Sequence, residues 1–70
     1  MLSNFITRKY NVSFLDAAWK SLNINIKIDV IPRVNEFIYL NETYYRVIGV
    51  VHQINEKQEI FIVIENFKKQ

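Results

Sequence analysis

The sequence predicts a small, mainly β domain: an antiparallel barrel or strongly bent sheet of four to five strands, carrying one short N-terminal helix. Three observations carry that reading. Several segments alternate apolar and polar residues or run continuously through β-branched and aromatic ones. The stretches between them are short and polar, which favours hairpins. A single glycine, Gly49, interrupts the longest of the apolar runs.

Residues 1–12 read ambiguously as a weak strand, a helical turn or an arm, because Phe5, Thr7 and Lys9 alternate with Ile6, Arg8 and Tyr10. "SFLDAAWKSLN" follows. Ser13 suits an N-cap with Asp16 three residues on. Leu15, Ala18, Trp19 and Leu22 fall at i, i+3, i+4 and i+7, and Asn23 suits a stop. The spacing predicts a helix over 14–22. "NINIKIDV" then alternates, with Ile24, Ile26, Ile28 and Val30 on one side and Asn23, Asn25, Lys27 and Asp29 on the other. Pro32 ends that strand. "EFIYL", "YYRVIGVVHQI" and "EIFIVIENF" read as three further strands, joined by turns at 41–43 and 55–58. Gly49 marks a bulge or sharp bend in the long one.

Seventy residues make one domain, 1–70. A chain this short buries only about 60% of its unfolded surface, so the 50% hydrophobic content must supply most of its stability. No cysteine is present, hence no disulfide and no thiolate metal site, and one histidine falls short of the usual zinc ligand sets. No apolar stretch approaches a signal-peptide core or a membrane span. The expectation is a soluble, cytoplasmic protein with no membrane contact and no cofactor. The sequons at Asn11 and Asn41 are chance products of eight asparagines. Net charge is +2 but uneven: +3 over residues 1–35, −3 over 36–67, and two lysines beyond. The acidic β-rich half suits a basic partner better than a phosphate backbone.

Both faces of the strands are apolar. Ile60, Ile62 and Ile64 oppose Phe61 and Val63, and Ile38 and Leu40 oppose Phe37 and Tyr39. A large apolar side chain gains about 1.5–3 kcal/mol on burial. The second face is therefore expected to be covered, by the Leu15/Ala18/Trp19/Leu22 stripe or by another molecule.

Pro32, Val34, Glu36, Ile38, Leu40, Tyr45, Val47, Val50 and His52 form a pattern that resembles short proteins with SH3-like small β-barrels, common among phage and other mobile-element products. Such proteins often read V-G-E or V-G-D where this chain has Val34-Asn35-Glu36, and asparagine is the natural substitute at positive φ. The resemblance covers about a third of the chain, residues 32–52, and implies an SH3-like barrel and a mobile-element origin rather than an activity. The predicted helix lies outside it, which leaves an α+β alternative, a helix packed on one four-stranded sheet.

No catalytic constellation emerges. His52 has no serine or carboxylate at an obvious catalytic spacing. The glutamates fall at strand ends and turns, and one glycine excludes phosphate-cradling loops. Aromatic residues and Arg are the usual interface anchors. The expected function is non-catalytic binding to a protein, a host enzyme or a second copy, with Tyr39, Tyr44, Arg46, Glu42, Glu56 and Glu59 as contact residues. By analogy with anti-CRISPR proteins, the partner is expected to be a host defence nuclease whose basic channel meets the acidic hairpins. Two alternatives remain: a single-stranded nucleic-acid-binding barrel, stacking bases on Phe37, Tyr39, Tyr44, Tyr45 and Phe61 beside Arg33 and Arg46, and a structural virion or homodimeric protein.

Overall fold

A computed structural model describes residues 9–67. They form five strands: β1 (Tyr10–Leu15), β2 (Ser21–Ile28), β3 (Phe37–Leu40), β4 (Thr43–Ile54) and β5 (Gln58–Asn66). The strands make one sheet, in the order β2-β1-β5-β4-β3, curled strongly into a half-barrel. All neighbours are antiparallel except β1 and β5, which run parallel, Val12 opposite Ile60 and Leu15 opposite Val63. The mainly β class and the bent-sheet form follow the expectation. The strands β2 to β5 lie within a few residues of those read from the sequence.

Alternation builds the core. Val12 and Phe14 of β1, Val47 of β4 and Ile60, Ile62 and Ile64 of β5 point inside the curl and are buried. Ile24 and Ile28 of β2, Ile38 and Leu40 of β3, Tyr45 and Val50 of β4, and Ile31 from the β2–β3 connection pack around them. Ile62 sits at the centre of the central strand with no exposed surface. Ile62→Ala is expected to lower the unfolding free energy by about 2–5 kcal/mol, read as an earlier midpoint in urea followed by circular dichroism. A loss under 1 kcal/mol, small beside that estimate, would show that this core is not tightly packed.

The bend at Gly49 is a bulge. Val47 faces Ile64 and Gly49 faces Val63, so Ile48 is one residue extra on β4. Gly49 does not have a positive φ, and a Cβ there would meet Val63 Cβ and Cγ2 at 3.5 Å, an ordinary contact. The bulge therefore does not demand glycine. Gly49→Ala is expected to leave stability unchanged or raise it by up to about 1 kcal/mol through the unfolded chain. Its urea midpoint compared with wild type checks this; a fall would show that the site has no room.

The helix expected over 14–22 does not form. These residues are the end of β1, a tight turn and the start of β2. Asp16 decides it. Its Oδ1 accepts from the backbone N–H of Ala18 at 2.8 Å and of Lys20 at 2.9 Å. Its own N–H donates to the Lys20 carbonyl, and Trp19 N–H donates back to the Asp16 carbonyl, both at 2.8 Å. A short polar side chain that captures nearby backbone donors competes directly with the helix. The result is a three-residue hairpin loop whose last residue, Trp19, adopts φ 65°. Ser13 is no N-cap: its hydroxyl accepts from Asn25 Nδ2 across β1 and β2 at 2.8 Å. Asn23 does take the left-handed conformation, at φ 58°, but inside an irregularity of β2, with its N–H on Ser21 Oγ. Of the 1–12 segment, residues 10–12 are β1, and residues 1–8 lie outside those described.

Losing the helix removes the expected cover. Trp19 is 61% exposed at the loop tip. The four outer-face residues expected to be shielded divide: Val63 is buried and Phe61 half-buried, while Phe37 and Tyr39 are exposed. Nothing among the described residues covers the β3 end of the outer face.

Candidate protein-binding face

Three strands assemble the uncovered patch. Tyr44 and Arg46 are two apart on β4 and so share its outer face. The β3–β4 register sets Tyr39 opposite Tyr44 and Phe37 opposite Arg46. The β4–β5 register sets Glu65 on the other side of Arg46. Phe67, two residues beyond Glu65, is held to β4 by its N–H on the Tyr44 carbonyl at 3.0 Å. The rings pair: Phe37 meets Phe67 edge-on with centroids 4.8 Å apart, and Tyr39 meets Tyr44 at 4.6 Å. All four stay open to solvent, Phe37 55%, Tyr39 61%, Tyr44 58% and Phe67 45% exposed.

Beside the rings lies an ion pair. Arg46 Nε donates to Glu65 Oε2 at 2.8 Å, and Nη2 contacts the same oxygen. Both side chains are partly exposed, so the pair adds at most about 1 kcal/mol to stability. Its larger effect is to match the charge of Arg46 within an aromatic patch.

Two turns hold this patch in place. Asn41 and Glu42 make the two-residue loop between β3 and β4, with φ 51° and 64°, the mirror-image turn that matches strand twist. Asparagine tolerates that conformation, whereas glutamate is strained by roughly 1–2 kcal/mol. Glu42→Gly is therefore expected to stabilise the hairpin by about 1 kcal/mol, seen as a higher melting temperature; an unchanged or lower value would mean that the Glu42 side chain offsets the strain. Before β3, Asn35 at φ 78° closes a turn in which Glu36 N–H donates to the Arg33 carbonyl at 3.0 Å and Arg33 N–H donates to Glu36 Oε1 at 2.7 Å. Asn35 thus occupies the positive-φ place inferred for it from the sequence.

Of the expected contact residues, Tyr39, Tyr44 and Arg46 come together. Glu42 sits in the loop beside the tyrosine pair. Glu56 and Glu59 lie at the far end of β4, a strand of 12 residues, or about 40 Å at 3.3 Å per residue. The acidic hairpins therefore do not converge on one surface. Glu36 is engaged by the Arg33 backbone and Glu65 by Arg46. Phe67 and Glu65 were not among the expected contact residues, although counting by twos from Phe61 through Glu65 to Phe67 places both on the outer face. His52 is exposed opposite Ile60.

Two hollows flank the inner core. One, ≈ 210 Å³, opens between β2 and β3 and is lined by Phe14, Ile28, Val30, Pro32, Ile38 and Leu40, among others. The other, ≈ 350 Å³, lies between the Asp16–Ala18 turn and Tyr45, Ile64 and Asn66. No group of three His, Cys, Asp or Glu side chains able to hold a metal occurs among the described residues. No helix among them is long and apolar enough to cross a membrane. Comparison of the chain with family models, curated proteins and solved structures finds no match.

Proposed function

We propose that this chain is a non-catalytic protein-binding module anchored by the ring cluster on the outer face of β3, β4 and β5. One observation carries the reading: Phe37, Tyr39, Tyr44 and Phe67 stand about half exposed on one continuous face around a neutralised Arg46. Exposed aromatic groups of this kind mark interaction surfaces. Each ring has on the order of 1 kcal/mol still to gain on burial. Four rings alone fall short of the ~8 kcal/mol of a micromolar complex. The interface therefore extends along the outer face toward Val51 and half-buried Phe61, which pair across β4 and β5.

The chemistry argues against nucleic acid as the ligand. Stacking needs cations beside the rings to hold phosphates, and Arg46, the cation of the patch among the described residues, is matched by Glu65 at hydrogen-bonding distance. The proposal extends to the role expected from the sequence, a mobile-element product with an SH3-like barrel that obstructs a host nucleic-acid-handling enzyme. The Arg33–Glu36 turn and the curled five-stranded sheet support the resemblance. The dispersal of the acidic residues moves the proposed contact from the acidic hairpins to the rings.

The test compares wild type with Tyr39→Ala/Tyr44→Ala as immobilised baits in bacterial lysate, with circular dichroism confirming that both are folded. A protein retained by wild type and released by the variant is the expected result. Equal retention by both baits, or retention of none, overturns the reading. Binding to a single-stranded oligonucleotide that weakens steeply with salt would replace it with the nucleic-acid alternative.

A further inference from the structure

Among the described residues the sheet has two unpaired edges, and they differ. β2 carries Lys27, Asn23 and Asn25 along its exposed side and is broken by the Asn23 irregularity. Charge and bulges are the devices by which edge strands avoid pairing. β3, Phe-Ile-Tyr-Leu, has no charge, no proline and no bulge.

The hydrogen-bonding state of β3 follows from its turn. With a two-residue loop, Leu40 and Thr43 form the hydrogen-bonded pair next to it, and strict alternation makes Ile38 and Tyr45 the next. The N–H and C=O groups of Phe37 and Tyr39 therefore point away from β4. No connecting segment among the described residues takes them: the backbone bonds that lead into β3 join Asn35 N–H to the Val47 carbonyl and Val47 N–H to the Glu36 carbonyl. An uncharged strand with its outward backbone groups free is a template for another strand.

We propose that the occupant is β3 of a second copy, paired antiparallel about a twofold axis through Ile38. The register is dictated by the free groups. Placing Phe37 of one chain opposite Tyr39 of the other pairs every outward donor and acceptor of both residues, and it sets Ile38 opposite itself. The contact is isologous. Its side chains agree with it: Phe37 and Tyr39 meet as aromatic pairs on the outer face, and the two Ile38 side chains meet on the inner face. A twofold axis doubles any charge placed on it, and this strand carries none. Four residues a side make a small interface, so the dimer forms at high protein concentration and dissociates on dilution. It uses the β3 backbone and does not depend on the proposed partner of the ring cluster; it would carry two ring clusters side by side.

Sedimentation equilibrium of the full chain is expected to show a concentration-dependent mass approaching twice 8.4 kDa. Phe37→Pro removes an outward donor that β4 does not use and is expected to stay monomeric, whereas Phe37→Leu keeps the donor and still dimerises. Ile38→Cys adds the one thiol in a chain without cysteine. Non-hydrogen-bonded antiparallel partners lie about 4.5 Å apart at Cα, within disulfide range, so mild oxidation is expected to cross-link it far faster than Ile54→Cys, whose parent residue is 74% exposed at the distal hairpin. Folded wild type that remains monomeric at millimolar concentration overturns the proposal. So does cross-linking of Ile38→Cys no faster than that of Ile54→Cys, or a Phe37→Pro variant that dimerises like wild type. None of these outcomes alters the lysate result, so the two readings fail separately.

Discussion

The fold depends on the burial of β5. It is the middle strand of the sheet: β1 lies parallel on one side and β4 antiparallel on the other. It also supplies four of the seven buried hydrophobic residues, Ile60, Ile62, Val63 and Ile64. Among the described residues, the β1–β2 hairpin and the β3–β4–β5 meander are joined by backbone pairing only there. A strand buried this fully needs apolar residues on both faces, which explains the uninterrupted Ile-Phe-Ile-Val-Ile. Two-sidedness at the centre does not require two-sidedness at the edge, and at β3 the same alternation leaves aromatic rings in water.

Much of this architecture was legible in the residues. Ile24, Ile26 and Ile28 alternating with asparagine and lysine marked β2, and short polar turns separated β3, β4 and β5. Asn35, a residue type that tolerates positive φ, does adopt it. The failure at 14–22 has a specific cause. Leu15, Ala18, Trp19 and Leu22 satisfy helical spacing, yet Val12 and Phe14 satisfy strand spacing just before them, and the two patterns overlap. A four-residue periodicity is weaker than the demand of β5 for a partner, and Asp16 supplied the local bonds that close a hairpin instead. The parallel pairing of β1 with β5 could not be read from the chain, because short connections foretell only antiparallel neighbours.

The candidate face was half legible for a similar reason. Period-two counting placed Tyr44 and Arg46 together and the short turn read at 41–43 brought Tyr39 near them, although the loop proves to be Asn41 and Glu42 alone. Grouping the glutamates required knowing where the ends of a long strand lie. Glu42 and Glu59 are 17 residues apart in sequence and stand near opposite ends of β4, so an acidic half of the sequence does not become an acidic surface. Charge segregation along a chain is a statement about composition, and a hairpin separates its two ends by the full length of its strands.

Trp19 has a consequence for anyone following this protein by light. It is the only tryptophan, and it sits on a solvent-facing loop tip. Its indole already samples a largely aqueous environment when the chain is native. Emission excited through it will thus shift little as the sheet melts, and a flat fluorescence trace would be a poor guide to whether the β-structure has been lost.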